Sequence, residues 1–225
     1  MMFDNEERKL ERLNSGFTDL ISARTYNMII GLVLAYGLLL NAFIVMYCSN
    51  FFRSINYLIF LIGYFICCFA GITIANVSRN PAISFLGYNL VVLPIGGLLS
   101  IFVPEFYIQD IIYAAFLTGV IMIVMTLLAT IKPSLFANMG PALFISLFLG
   151  LIAEIIALLF GYAGSIFNWL FVIIFSLYVG YDWMKAQAYP KTIDNAVDSS
   201  LDIYLDIINL FVRLLSILGK SKSRK

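Results

Sequence analysis

Three carboxylates stand where an otherwise apolar chain gives them little polar company. The stretch "LDIYLDIINLF", Leu201 to Phe211, carries Asp202 and Asp206, and 24 positions before Asp206 the run "SLYVGYDWM" carries Asp182. Two carboxylates brought within a few ångströms in a low-dielectric setting cannot both ionise easily, so one proton becomes shared and the pair titrates as a unit. The sequence has no histidine, so proton sensing near neutral pH falls mainly to such carboxylates. An arginine beside the pair would compete for one of its members, and Arg79 is the candidate. Asp182, Asp206 and Arg79 would then make a switch: protonation changes which carboxylate holds the arginine, and the helices carrying them shift. The plainer alternative is that the two aspartates anchor helix ends while Arg79 is a flanking charge.

The remaining charges in apolar surroundings are few. Asp194, Asp198, Asp202 and Asp206 recur every four residues and form one stripe if the segment is helical. The first three are expected in the first turns, solvated and favoured by the positive end of the helix dipole, with Asp202 as an auxiliary at the border. Asp206 lies about 7 Å past Leu201 at roughly 1.5 Å per residue, too deep for a capping role alone. Glu154, in "GLIAEIIALLF", could line an ion path, or while protonated could hydrogen-bond a neighbouring helix. Arg213, seven residues beyond Asp206, shares its helix face and is expected to snorkel or pair rather than gate.

The elements that must position these groups are membrane helices. Of the 225 residues, 62% are hydrophobic and 12% charged, and the mean hydropathy is +0.96. A soluble domain is about half apolar and about a quarter charged. The net charge of +1 and the lack of a basic stripe give no reason to expect nucleic acid as a partner. The three cysteines, Cys48, Cys67 and Cys68, form no Cys-x-x-Cys pair, which argues against a zinc site or disulfide framework. Enzyme chemistry is not expected either. A rhomboid-like protease needs a serine–histidine pair. A presenilin-like one needs Gly-x-Gly-Asp where this chain reads "IYLDII".

A spanning helix takes about 20 apolar residues to cross a hydrocarbon core roughly 30 Å thick. By that measure seven segments qualify: Thr25–Cys48, Ile55–Val77, Ile83–Val103, Ile111–Ile131, Asn138–Phe160, Ser165–Trp183 and Leu201–Leu218. Pro81, Pro104, Pro133 and Pro190 fall at the breaks between them, where a helix must stop or restart. The expected division is a polar leader over 1–24, with no cleavable presequence, a seven-helix domain over 25–219, and a basic tail over 220–225. Pro94, Gly96 and Gly97 weaken the third segment near its middle, which suits close helix packing or a flexible point. Arg79, Asp182 and Asp206 fall on the N-terminal side of the membrane by parity of the segments. Lysine and arginine placement puts that side in the cytoplasm, although the tail "GKSKSRK" would lie outside if all seven segments cross.

The last 45 or so residues carry a motif. "FSLYVGYDWMKAQ" followed by "LDIYLDIINLFVRLLSILG" resembles the transmembrane Bax inhibitor motif family, whose members end in a Tyr-Asp helix and a Leu-Tyr-Leu-Asp-Phe-Ile-Asn-Leu-Phe helix. Ile203 and Ile207 are the two departures from the second motif. The resemblance implies a seven-helix protein with a central last helix and a pH-sensitive calcium leak. It places the di-aspartyl sensor on Asp182 and Asp206, with Arg79 as their counter-charge. Calcium is then the permeant ion rather than a cofactor, held transiently by Asp182 and Asp206 when both are ionised. The expected partners are the lipid bilayer, calcium and other membrane proteins, and the expected location is a bacterial cell membrane. A non-conducting regulator, binding for example a membrane protease, is the alternative.

Overall fold

The structure is a computed structural model that describes residues 20–161 and 165–219. Most of the expected leader, residues 1–19, and the expected tail, 220–225, lie outside the described residues. Those described form helices α1 (Ala23–Tyr47), α2 (Ser49–Ser54), α3 (Tyr57–Val77), α4 (Pro81–Phe102), α5 (Ile108–Ile131), α6 (Gly140–Leu159), α7 (Ser165–Ala188) and α8 (Ile193–Leu218), with short 3-10 turns at Val103–Glu105 and Pro133–Leu135. No strand occurs among them.

The helix starts follow from local chemistry. The Ser22 hydroxyl accepts from the Thr25 amide, 3.1 Å, at the head of α1. Asn56 caps α3 by accepting from the Leu58 amide, 3.0 Å. Asn80 caps α4 by accepting from the Ala82 amide, 2.9 Å, with Pro81 in the first turn, where its missing N–H costs nothing. Helix α4 continues through Pro94. After α6 the chain turns at Gly161, whose φ of 79° suits a residue without Cβ.

Six of these helices are long and apolar enough to cross a membrane: α1, α3, α4 with its 3-10 extension, α5, α6 and α7. The seventh expected span, α8, is not among them, because its apolar half carries Asp202, Asp206 and Arg213. It also starts at Ile193 rather than Leu201. The Thr192 hydroxyl accepts from the Asn195 amide, 3.1 Å, and so caps the helix eight residues earlier than hydropathy suggested. Helix α7 likewise runs on to Ala188 rather than stopping at Trp183, so Asp182 sits inside the helix instead of at its end.

By compactness the chain divides into two units. One comprises the chain up to Pro104 together with Ala188–Tyr204; the other comprises Glu105–Gln187 and the chain from Leu205 onward.

In the first unit, α3 and α4 approach backbone to backbone. A Cβ added at Gly87 would lie 2.7 Å from the Ala75 nitrogen and from the Gly71 carbonyl oxygen. This is the close approach small residues permit in a bilayer. Gly96 and Gly97 serve the same end: a Cβ on either would run into Asn41 and Ile44, or into the Phe52 ring. The first half of α8 packs through polar groups. The Tyr26 hydroxyl shares a hydrogen bond with the Ser199 hydroxyl, 3.1 Å, and the Asn41 amide donates to the Tyr204 hydroxyl. In the second unit, Trp183 donates from Nε1 to the Thr130 hydroxyl, 2.9 Å, tying α7 to α5. An added Cβ at Gly180 would overlap the Phe136 ring, and one at Gly140 would overlap the Tyr181 hydroxyl.

Candidate functional site

Asp182 and Asp206 both belong to the second unit. They are 7% and 6% exposed, and the residues flanking each along its helix are mostly buried or half-buried. The packing of Gly180 on Phe136 and of Trp183 on Thr130 fixes the turn of α7 that carries Asp182. One turn earlier on α7, Tyr178 lies within electrostatic reach of both carboxylates, so the two aspartates share a neighbour. Lys185 binds Asp182 directly, Nζ to Oδ1 2.7 Å, across three positions of the same helix. The Lys185 ammonium also stands 5.6 Å from the centre of the Tyr181 ring.

Arg79 follows α3 in the first unit, in the segment between Val77 and the Asn80 cap, and is exposed. Asp202 also belongs to the first unit and is half-buried. The expectation that Asp194, Asp198 and Asp202 are solvated in the first turns needs correction. Asp194 does occupy the first turn of α8, where it accepts from the Ser84 hydroxyl, 2.7 Å. Asp198, however, is 3% exposed. The early cap at Thr192 draws the whole stripe into one helix, whose protein-facing side takes Asp198 with it.

Glu154 and Arg213 come together in the second unit. The guanidinium lies on the carboxylate with both nitrogens, Nη2 to Oε2 being 2.9 Å, and Nη1 also donates to Asn168 Oδ1, 3.0 Å. Its central carbon, Cζ, lies 4.1 Å from the centre of the Phe171 ring. Of the two expectations for Arg213, pairing is therefore the one observed, and Glu154 accepts from a cation rather than donating as an acid.

Sequence reasoning passed over Lys185, Tyr178 and Asn168. Lys185 and Tyr178 stand three after and four before Asp182, so helical spacing pointed to both. Asn168 was visible only as a polar residue at the head of an apolar helix. Among the described residues no group of three or more histidine, cysteine, aspartate or glutamate side chains is arranged to hold a metal ion. A calcium ion at Asp182 and Asp206 would therefore take its further oxygens from water or neutral groups.

Two curated proteins of Helicobacter pylori, strains 26695 and J99, each described as an uncharacterized protein, are 33% identical to the chain over 87 residues. The matched stretch is 37% of this chain and 36% of each relative, so the likeness spans about a third of their length. A family model described as Inhibitor of apoptosis-promoting Bax1 matches residues 20–223.

Proposed function

The chain belongs to the family of inhibitors of apoptosis-promoting Bax1, and on that premise we propose that this integral membrane protein is a pH-sensitive calcium leak channel gated by Asp182 and Asp206. The observation that carries the proposal is the burial of both carboxylates, 7% and 6% exposed, around a shared Tyr178 in a chain with no histidine. Intramembrane carboxylates are costly to insert and are retained where they bind or move charge. Uptake of a proton by either aspartate removes one charge from the Tyr178 neighbourhood. Helices α7 and α8 then re-pack, since each carries one member of the pair. Lys185 is the counter-charge seen at Asp182. Arg79 enters as the counter-charge that the family resemblance supplies, and Glu154 as a residue of the path.

The likeness to Helicobacter proteins supports a bacterial membrane. Lysine and arginine placement along the sequence makes the N-terminal side of the membrane the cytoplasmic one.

The test is calcium flux into liposomes holding the purified protein, between about pH 6 and 8, where a coupled carboxylate pair titrates. The parent protein is expected to show pH-dependent flux, and Asp182→Asn and Asp206→Asn are each expected to lose the pH dependence. Folded protein that passes no calcium at any pH would sink the channel, leaving a non-conducting regulator of other membrane proteins.

A further inference from the structure

Glu154, Asn168 and Arg213 sit apart from the aspartates within the same unit. Asn168 precedes Asp182 by 14 residues of α7, about 21 Å at 1.5 Å per residue, and Arg213 follows Asp206 by seven residues of α8, about 10 Å. Helices α6 and α7 are consecutive, so Glu154 near the end of one and Asn168 near the start of the other lie toward the same end of the pair. Three oxygens, Glu154 Oε1, Glu154 Oε2 and Asn168 Oδ1, converge on one cation, the Arg213 guanidinium. A carboxylate with an amide oxygen is the donor set that calcium and similar hard cations use, with water completing the shell. The side chains of Arg213 and Glu154 remain 19% and 23% exposed, so neither is sealed inside the helix packing. The Phe171 ring, fully buried beneath the guanidinium, offers the arginine a resting face that does not depend on the carboxylate.

We propose that Glu154 and Asn168 form a second cation site, closed in this structure by Arg213, and that a divalent cation opens it by competing for the same three oxygens. The arginine is a tethered occupant: it satisfies the carboxylate while no ion is present and yields it when one arrives. Only the site's part in transport rests on the channel reading; its binding of a cation stands by itself.

Calcium binding to the full-length protein in detergent, by equilibrium dialysis and by calcium-induced change in melting temperature, tests the proposal without any need for flux. Arg213→Gln removes the competitor and should bind calcium about tenfold or more tightly than the parent, the factor expected when one charge-assisted competitor is lost. Arg213→Gln/Glu154→Gln should lose that gain. Should Arg213→Gln fail to fold, Arg213→Lys keeps the charge but replaces the planar two-nitrogen grip on the carboxylate with a single, shorter-reaching ammonium, and it should also bind calcium more tightly than the parent. Equal calcium binding by the folded Arg213 variants and the parent, or a gain that persists without Glu154, would overturn the site and leave the trio as a clamp between helices. A protein that binds calcium in this way yet passes none in liposomes would retire the channel and keep the site. One that conducts without the gain would do the reverse.

Discussion

Helices α6 and α8 answer the same membrane in opposite ways. Helix α6 buries only Leu143 and Gly150 of its 20 residues, and Glu154 is its single charged residue. Helix α8 buries every residue from Asn195 to Leu201 while carrying four aspartates and an arginine. A helix surrounded by lipid must be apolar on all sides, because no partner there can satisfy a polar group. A helix surrounded by protein can carry hydroxyls, amides and charges, provided neighbours meet them. Tyr26, Ser84 and Asn41 do so along the first half of α8. Hydropathy therefore reads the lipid-facing helices nearly whole, but reads α8 only from Leu201 onward and leaves out its polar, buried first turns.

The largest effect that could break this contrast comes from equal deletions on the two helices. Leu210 on α8 is fully buried, and Leu149 on α6 is 57% exposed. Leu210→Ala should cost about 3 kcal/mol through lost contacts and the cavity left behind, whereas Leu149→Ala should stay within about 0.5 kcal/mol. Thermal denaturation in detergent checks both, and equal losses would mean that α8 is no better covered than α6.

The one charge on α6 sharpens the comparison, because it survives only through α8. Glu154→Gln leaves the Arg213 guanidinium without its carboxylate. A cost of about 2 kcal/mol is expected, below that of a fully buried pair because both side chains are partly exposed. The same melting experiment reads it, and an unchanged melting temperature would show that the pair is energetically idle.

The smallest effect concerns the approach to α8. Burial holds the Lys191 ammonium below its ordinary pKa, and its charge rests 4.5 Å from the centre of the Tyr26 ring. The folded chain thus binds this proton less tightly than the unfolded one, so Lys191 contributes a rise in stability as pH climbs through the folded pKa toward the unfolded value. Lys191→Met should flatten that rise in a melting series taken below the ordinary lysine value of about 10.5. A slope identical to the parent's would assign the effect to another group.

The sequence by itself determined a good deal. Long apolar runs broken at Pro81, Pro104, Pro133 and Pro190 specify helices able to cross a membrane because lipid admits little else, and six of the described helices are long and apolar enough to do so. The carboxylates were legible for the same reason: Asp182, Asp206 and Glu154 stand out only against a background that has no use for charge. The "YDWM" and "IYLDIINLF" motifs pointed to the family that residues 20–223 match.

Tertiary structure decided the rest. That Arg213 answers Glu154, 59 positions away, depends on how α6, α7 and α8 pack. That Asp198 is buried rather than solvated depends on what covers the head of α8. Lys185 met Asp182 at a spacing the sequence displayed, yet only the extension of α7 to Ala188 put both inside one helix. A side chain's cost in a membrane depends on its neighbours, and the neighbours of α8 come from helices distant in the chain.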